Sequence, residues 1–427
     1  MVPSTRRQLL AGFAALTAGC IGSGDDPGGG NTPTTTPDPA TPTPEPTPPP
    51  EPPTIDEVSG EWRSAEHDAG NTRYNSDARG PADEPAQAWT EAIEGVSQFV
   101  VADGRVFVRT RTALLALDAA TGERLWRGDF PDETDSGPVI HEGNVLIAAG
   151  GDLLAVDATT GEREWSVGVP AGGVADLVAR EEVVYVGTRE GGRDGEPVGY
   201  VLALAADDGE KRWQTSTRDL YDPIYPAGVG EIGADEDGVA FVTDDGSGSA
   251  TANLGLDPSD GSKRWLNSGR NHGGALTVAD GTVYTGGFYG GLVAEDVPTG
   301  EQRWQAVPGP AVGSIGVDDE RVYATTPSGA GVEEARLVAL DVDDGEEDWL
   351  VPFSRTSAGE FAVGEAVYVA SEAGLRALDP DDGEKLWHVD PADLPTVDEN
   401  EWTGVRQVAV VDEVVYLVHG ERVRALA

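Results

Sequence analysis

One pattern of apolar and polar positions recurs along most of the chain, and it is clearest between Phe99 and Arg127. An apolar run from Phe99 to Ala102 meets Asp103-Gly104, a dipeptide suited to the two left-handed positions of a type I′ hairpin turn. Val106 to Arg109 reads as a second strand, and after a variable loop Leu115 to Asp118 reads as a third. A turn ending in Thr121-Gly122 then delivers Glu123 to Arg127 as a fourth, outer strand. The same grammar returns at Trp126, Trp165, Trp213, Trp265, Trp304, Trp349 and Trp387, spaced 38 to 52 residues apart. Glycine stands four residues before each of them, at Gly122, Gly161, Gly209, Gly261, Gly300, Gly345 and Gly383. Aspartate stands eight residues before six of the seven, with Ala205 as the exception. Four short antiparallel strands repeated at this pitch predict the blades of an all-β propeller.

Each recurring residue has a physical task. Asp118 can accept hydrogen bonds from turn amides, and Gly122 supplies a positive φ that strains other residues. Trp126 offers a broad flat ring for packing between blades, where replacing a buried ring with alanine costs about 3–5 kcal/mol. These are structural devices, so no catalytic residue is assigned to them. The two ends set the ring number. After Trp387 the chain offers strands at Val408–Val411, Val414–Val418 and Val423–Leu426, but no final turn and tryptophan strand. An unpaired tryptophan segment, Ala88-Trp89-Thr90, precedes the first inner strand and fits that vacancy. Seven complete motifs and one shared blade predict an eight-bladed propeller of four-stranded antiparallel blades, closed by pairing the N-terminal strand with the C-terminal blade, which removes exposed sheet edges.

Ahead of the repeats, the organisation changes. Residues 1–20 carry Arg6-Arg7, a short apolar run and Thr17-Ala18-Gly19-Cys20, too brief to span a bilayer. The segment resembles a twin-arginine signal ending in a lipobox, with Leu9 and Thr17 departing from the usual residues. It implies export, lipidation of Cys20 and a lipid anchor at the outer face of the cell membrane. Residues 21–56 hold a glycine cluster and a Thr/Pro tract, expected as an extended spacer that can accept O-glycans. The propeller is expected over residues 57–427.

Charge narrows the choice of function. With 76 acidic against 29 basic residues the net charge is −47, and lysine occurs only at Lys211, Lys263 and Lys385. Such a surface repels itself in dilute buffer and is screened in salt of about 1 M, where the Debye length is roughly 3 Å. The chain is expected to be halophilic, and without a basic stripe it is not expected to bind nucleic acid. One cysteine excludes an intramolecular disulfide, a thiolate metal cluster and a covalent haem site.

The Leu-x-Ala-Leu-Asp strand followed by x-x-Thr-Gly-Glu-x-x-Trp resembles the tryptophan-docking motif of PQQ-like, quinoprotein-type β-propeller repeats. The likeness covers roughly residues 60–427 and includes a lead-in at Trp62-Arg63-Ser64 and His67 to Tyr74. WD40 repeats are a poor match, since no tryptophan here is followed by aspartate. The resemblance implies two classes of function. One is the PQQ-dependent sugar or alcohol dehydrogenase, in whose alcohol-oxidising members adjacent disulfide-bonded cysteines cover the cofactor and calcium polarises it. The other is the noncatalytic BamB-like lipoprotein scaffold. A single cysteine cannot make that lid, so no PQQ and no calcium are expected, and an envelope scaffold, as a monomer binding a protein or polymer, is favoured over enzyme. The acidic composition resembles haloarchaeal proteins, whose cells lack an outer membrane.

Remaining candidates are few. Asp341 to Gly345 and Asp379 to Gly383 begin like calcium loops, but glycine falls at the fifth position instead of the sixth, so blade turns are expected there. The five histidines, His67, His141, His272, His388 and His419, show no metal-pair spacing. Arg270, Asn271 and His272 precede an inner strand and are the candidate ligand contacts at the channel mouth, for a small solute or sugar.

Overall fold

The computed structural model describes residues 51–130, 136–170, 173–189, 199–220, 228–244, 250–268, 274–287, 291–309, 311–329, 333–353, 359–371, 374–390 and 405–427. They form eight four-stranded antiparallel sheets, seven of them built from strands consecutive in sequence. The inner strands of the eight blades are Val96–Ala102, Val139–His141, Val174–Arg180, Gly228–Ala234, Leu276–Ala279, Ile315–Val317, Glu360–Val363 and Val405–Val411. A single helical turn, Thr217–Leu220, is the one helix among the described residues.

The first blade follows the predicted grammar. Val96–Ala102 turns at Asp103-Gly104, whose φ values of 51° and 67° are the left-handed pair of a type I′ turn, into Arg105–Thr110. Ala113–Asp118 and Arg124–Asp129 complete the sheet. The first three strands are almost wholly buried, whereas the outer strand alternates between exposed and half-buried positions.

The corner between third and outer strands explains the repeated residues. Asp118 Oδ1 accepts from the Ala120 and Thr121 amides at 3.1 and 2.9 Å and from Thr121 Oγ1 at 2.9 Å. Gly122 has φ 74°, and a Cβ there would lie 2.7 Å from the ring of Trp89. The glycine is therefore doubly required, by its backbone and by the indole stacked on it. The stacked ring comes from the preceding blade: Trp126 lies on Gly161, Trp165 on Gly209, and so on to Trp349 on Gly383. Each indole also reaches into the corner it covers. Trp126 Nε1 donates to the Ala158 carbonyl at 3.1 Å, and Trp304 Nε1 to that of Val342 at 2.9 Å. The Trp165 indole N–H alone among these rings is buried without a partner, and it faces the corner in which Ala205 replaces aspartate. Asp341 and Asp379 accept from their own turn amides, so both calcium-like segments are blade corners.

Closure joins the ends. Gln87–Ala92 pairs antiparallel with Arg422–Leu426, setting Trp89 opposite Ala425, and supplies the outer strand of the eighth blade. This blade has no continuous corner for Trp387 to cover. The residues before the closing strand stand in, as Trp387 Nε1 donates to the Pro81 carbonyl at 2.9 Å.

Candidate functional site

The lead-in before the closing strand runs around one end of the ring. Trp62 pairs with Val101 of the first blade, and the carbonyls of Arg63, Ala69, Gly70, Thr72 and Arg73 accept from Ile140, Ala234, Val278, Val317 and Val363. Arg79 N donates to Asp412 O, which brings in the eighth blade. Seven of the eight blades are thus bonded to one segment, always near the C-terminal end of the inner strand. The chain bends this tightly by using left-handed backbone at His67, Asn71 and Arg73, with φ of 83°, 61° and 55°. Gly70 has no alternative, since a Cβ there would sit 2.1 Å from the Val278 carbonyl oxygen.

Inside the ring, the residue just before the aliphatic core of several inner strands is polar. Asp176 Oδ2 accepts from Ile232 N of the next blade at 3.0 Å, and Glu231 Oε2 accepts from Leu276 N of the blade after at 2.7 Å. Gln407 does the same across the closure, bonding both the N–H and the carbonyl of Phe99 at 2.8 Å. These side chains tie neighbouring blades together around the axis. Glu360 occupies the same position in the seventh blade but turns to Arg73, 3.0 Å away. Arg73 also pairs with Glu66 of the lead-in, donates to the Phe361 carbonyl at 3.3 Å and lies over the Phe361 ring at 5.3 Å.

Two cavities flank the lead-in. A dish of about 490 Å³ is lined by Arg63, His67, Asp68 and His141 among others. A smaller chamber of about 190 Å³ lies against Glu66, Asn71, Gln98, Ser136, Asp176 and Glu231. Glu231 is deep within the ring yet presents much of its surface to this space. Its carboxyl is pushed up to about 8 by burial and by the charges of Asp176 and Glu66, against the pull of the Leu276 amide and Arg73. Burial raises Asp176 to about 6 although the Ile232 and Leu177 amides bond it. Glu66 is raised by burial against the pull of Arg73. On the dish side, burial would raise Asp68, but bonding to His67 and Thr72 holds it below the usual aspartate range. Burial lowers His141.

A pH dependence follows. Carboxyls raised in the fold keep protons that the unfolded chain releases, so the stability that Asp176 and Glu231 contribute is complete below the ordinary carboxyl values and is lost as pH rises through about 6 and then about 8. In concentrated KCl the melting temperature should fall between about pH 6.5 and about pH 9, and Glu231→Gln should flatten that limb. A wild-type melt that is level across this range would show Glu231 already ionised in the fold.

Of the residues marked out by sequence, the tryptophans and glycines lie in the blade corners, away from both cavities. His67 and His141 reach the dish, His388 sits on an outer strand and His419 is buried at the end of a second strand. Arg270, Asn271, His272, Cys20, Arg6 and Arg7 lie outside the described residues. Glu66, Arg73, Ser136, Asp176, Glu231 and Glu360 are not singled out by the periodic pattern. For the last three the available signal is a charged residue directly before the aliphatic run of an inner strand.

Known proteins place this architecture. The family described as outer membrane protein assembly factor BamB matches the chain over residues 81–219, 111–328 and 250–427. Quinohemoprotein alcohol dehydrogenase from Comamonas testosteroni superposes with a TM-score of 0.67 at 17% identity, covering 86% of this chain and 80% of that one. BamB from Moraxella catarrhalis gives 0.57 at 16%, covering 80% and 99%, and the designed protein Ika8 gives 0.62 at 13%, covering 80% and 99%. At these identities the likeness is one of fold. No curated protein matches the chain in sequence. With eight blades, tryptophan-capped corners and a match across most of its length, the chain belongs to the PQQ-like β-propeller family of outer membrane protein assembly factor BamB.

Proposed function

We propose that this protein is a noncatalytic scaffold of the cell envelope, tethered by a lipid on Cys20 and lifted from the membrane by its proline-rich spacer, which holds a protein or polymer on one face of the propeller. The observation that carries this reading is the character of the channel chamber. Cofactor sites occupy about 300–1,000 Å³ and are mostly apolar. This chamber measures about 190 Å³ and is lined by Glu66, Asp176 and Glu231. PQQ is a tricarboxylate, and those lining carboxylates that are ionised repel it. Arg73, the cation beside these acids, is already paired with Glu66 and Glu360. The lining of this chamber therefore does not fit PQQ, and with neighbouring blades tied together around the axis the propeller faces are the binding surfaces in this reading.

The fold likeness to a quinohemoprotein alcohol dehydrogenase keeps a dehydrogenase as the competing reading. Purified protein in concentrated KCl, given PQQ, calcium and an artificial electron acceptor, should turn over no alcohol or aldose. Turnover of either would replace the scaffold reading with the enzyme. The tether is tested separately: Cys20→Ser should move the chain from the membrane to the soluble fraction, and its retention would remove the lipid anchor from the proposal.

A further inference from the structure

The dish beside the lead-in carries basic groups on one wall and carboxylates on the other. Its volume of about 490 Å³ falls within the range of small-molecule sites, about 300–1,000 Å³. His141 comes from the second blade and Arg180 from the third, each at the end of an inner strand. The lead-in adds Arg63, whose carbonyl accepts from Ile140 of the second blade, and His67, whose carbonyl accepts from Arg63 N at 2.9 Å. Asp280 and Asp319 follow the inner strands of the fifth and sixth blades. In a ring of eight the second blade stands opposite the sixth, so the two sets face each other. In a chain with 76 acidic and 29 basic residues, a wall of two arginines and two histidines departs from the general surface.

Both walls hold capacity that the fold leaves unused. Two other acids of the dish serve their own blades: Asp235 Oδ2 accepts from Gly281 N at 2.9 Å, and Asp318 Oδ2 from Tyr323 Oη at 2.7 Å. Asp280 and Asp319 are exposed and make no side-chain hydrogen bond or ion pair with the described residues. Arg63 uses Nε on Glu61 and Arg180 uses Nη1 on Glu181, while their side chains are 64% and 32% exposed. A guanidinium has five N–H donors, so each keeps a face for a second carboxylate. A ligand that engages both walls therefore needs a carboxylate at one end and an ammonium at the other. The walls belong to facing blades, and a free amino acid, with both charges on one carbon, cannot reach across. The volume equals that of about sixteen waters at about 30 Å³ each, which admits a longer molecule. We propose that the dish binds a short zwitterionic peptide, its C-terminal carboxylate on Arg63 and Arg180 and its N-terminal ammonium on Asp280 and Asp319. The site stands apart from the scaffold reading, which is tested by turnover and by the tether and is unchanged by what the dish binds.

Calorimetric titration of the full chain with trialanine tests the site, at about pH 7, where both peptide ends are charged, and in the lowest KCl that preserves the melt. Saturable binding of one peptide is expected. N-acetyl-trialanine, without the ammonium, and trialanine amide, without the carboxylate, should each bind at least about tenfold more weakly. Asp280→Asn with Asp319→Asn should weaken trialanine about tenfold and leave the acetylated peptide unaffected. Arg63→Gln with Arg180→Gln should do the same to trialanine and leave the amide unaffected. Asparagine tolerates the left-handed backbone of Asp280, φ 47°, so that turn is kept. The blocked peptides make the same assignment on wild-type protein, whatever the substitutions do to the fold. Heat that does not saturate with trialanine overturns the proposal. So does either blocked peptide binding as tightly as the free one, or trialanine binding equally to wild type and both double variants.

Discussion

A chain begun at Gly95, without the lead-in and the closing strand, should lose its cooperative high-temperature melt. Removing Gln87–Ala92 exposes the edge of Arg422–Leu426 along its whole pairing. It also takes Trp89 off Gly122 and breaks the bond from Trp89 Nε1 to the Ala119 carbonyl at 2.9 Å. Loss of one buried tryptophan alone costs about 3–5 kcal/mol, and domain stability is only about 5–15 kcal/mol. Removing residues 57–80 in addition breaks the bonds between the lead-in and seven inner strands. The truncations are expected to fall in order. A chain begun at Glu57 should melt with the full chain, one begun at Ala82 should melt lower, and one begun at Gly95 should melt lowest and associate through its open edge. Thermal circular dichroism and size-exclusion chromatography in concentrated KCl read all three. A peptide spanning Asp83 to Glu94, added in trans, should restore part of the transition of the shortest chain. A shortest chain that melts with the full protein would mean that the ring is sealed elsewhere.

The blades were legible because their corners demand particular residues. Positive φ at Gly122 and the stacked indole admit little else, so Asp, Gly and Trp recur at fixed offsets whatever the loops between them do. Closure was legible for the same reason, since Trp89 is a docking residue without a blade of its own. The partner of each tryptophan was not: that Trp126 lies on Gly161 of the next blade, and that Pro81 serves Trp387 where the chain breaks, depends on blade rotation and leaves no local pattern. The channel was the least legible part. Asp176 and Glu231 do one job at one strand position, Gln407 does it with an amide, and Glu360 at that position turns to Arg73 instead, so no letter repeats. Among 76 acidic residues set by the need for a hydrated surface, the few that turn inward carry no compositional mark. Arg73 stands out better in retrospect, as a cation in a lead-in with three left-handed residues.

Arg73 should prove the most sensitive single side chain on the axis. Its side chain is 10% exposed and its guanidinium holds the carboxylates of Glu66 and Glu360, one from the lead-in and one from the seventh blade. Arg73→Met keeps the stem over Phe361 but leaves two facing carboxylates without a cation. Breaking a fully buried pair costs about 3–5 kcal/mol and an exposed one about 0–1 kcal/mol, and with Glu66 and Glu360 33% and 31% exposed the loss falls between the two. The deficit has a sign with pH. Removing Arg73 removes the pull that opposes the burial-raised carboxyl of Glu66, so its proton is held more tightly in the variant than in wild type. The variant should therefore be most destabilised at about pH 9, with the gap to wild type narrowing toward about pH 5 as Glu66 becomes protonated. Adding Glu66→Gln and Glu360→Gln to Arg73→Met should recover most of the loss at high pH. Arg73→Lys should recover less, because an ammonium cannot fork between two carboxylates while lying flat on a ring. Urea titrations at the two pH values separate the causes. A deficit that is the same at both, and that the double glutamine change leaves untouched, would show that Arg73 acts through the packing of its stem and the bend of the lead-in, with its charge incidental.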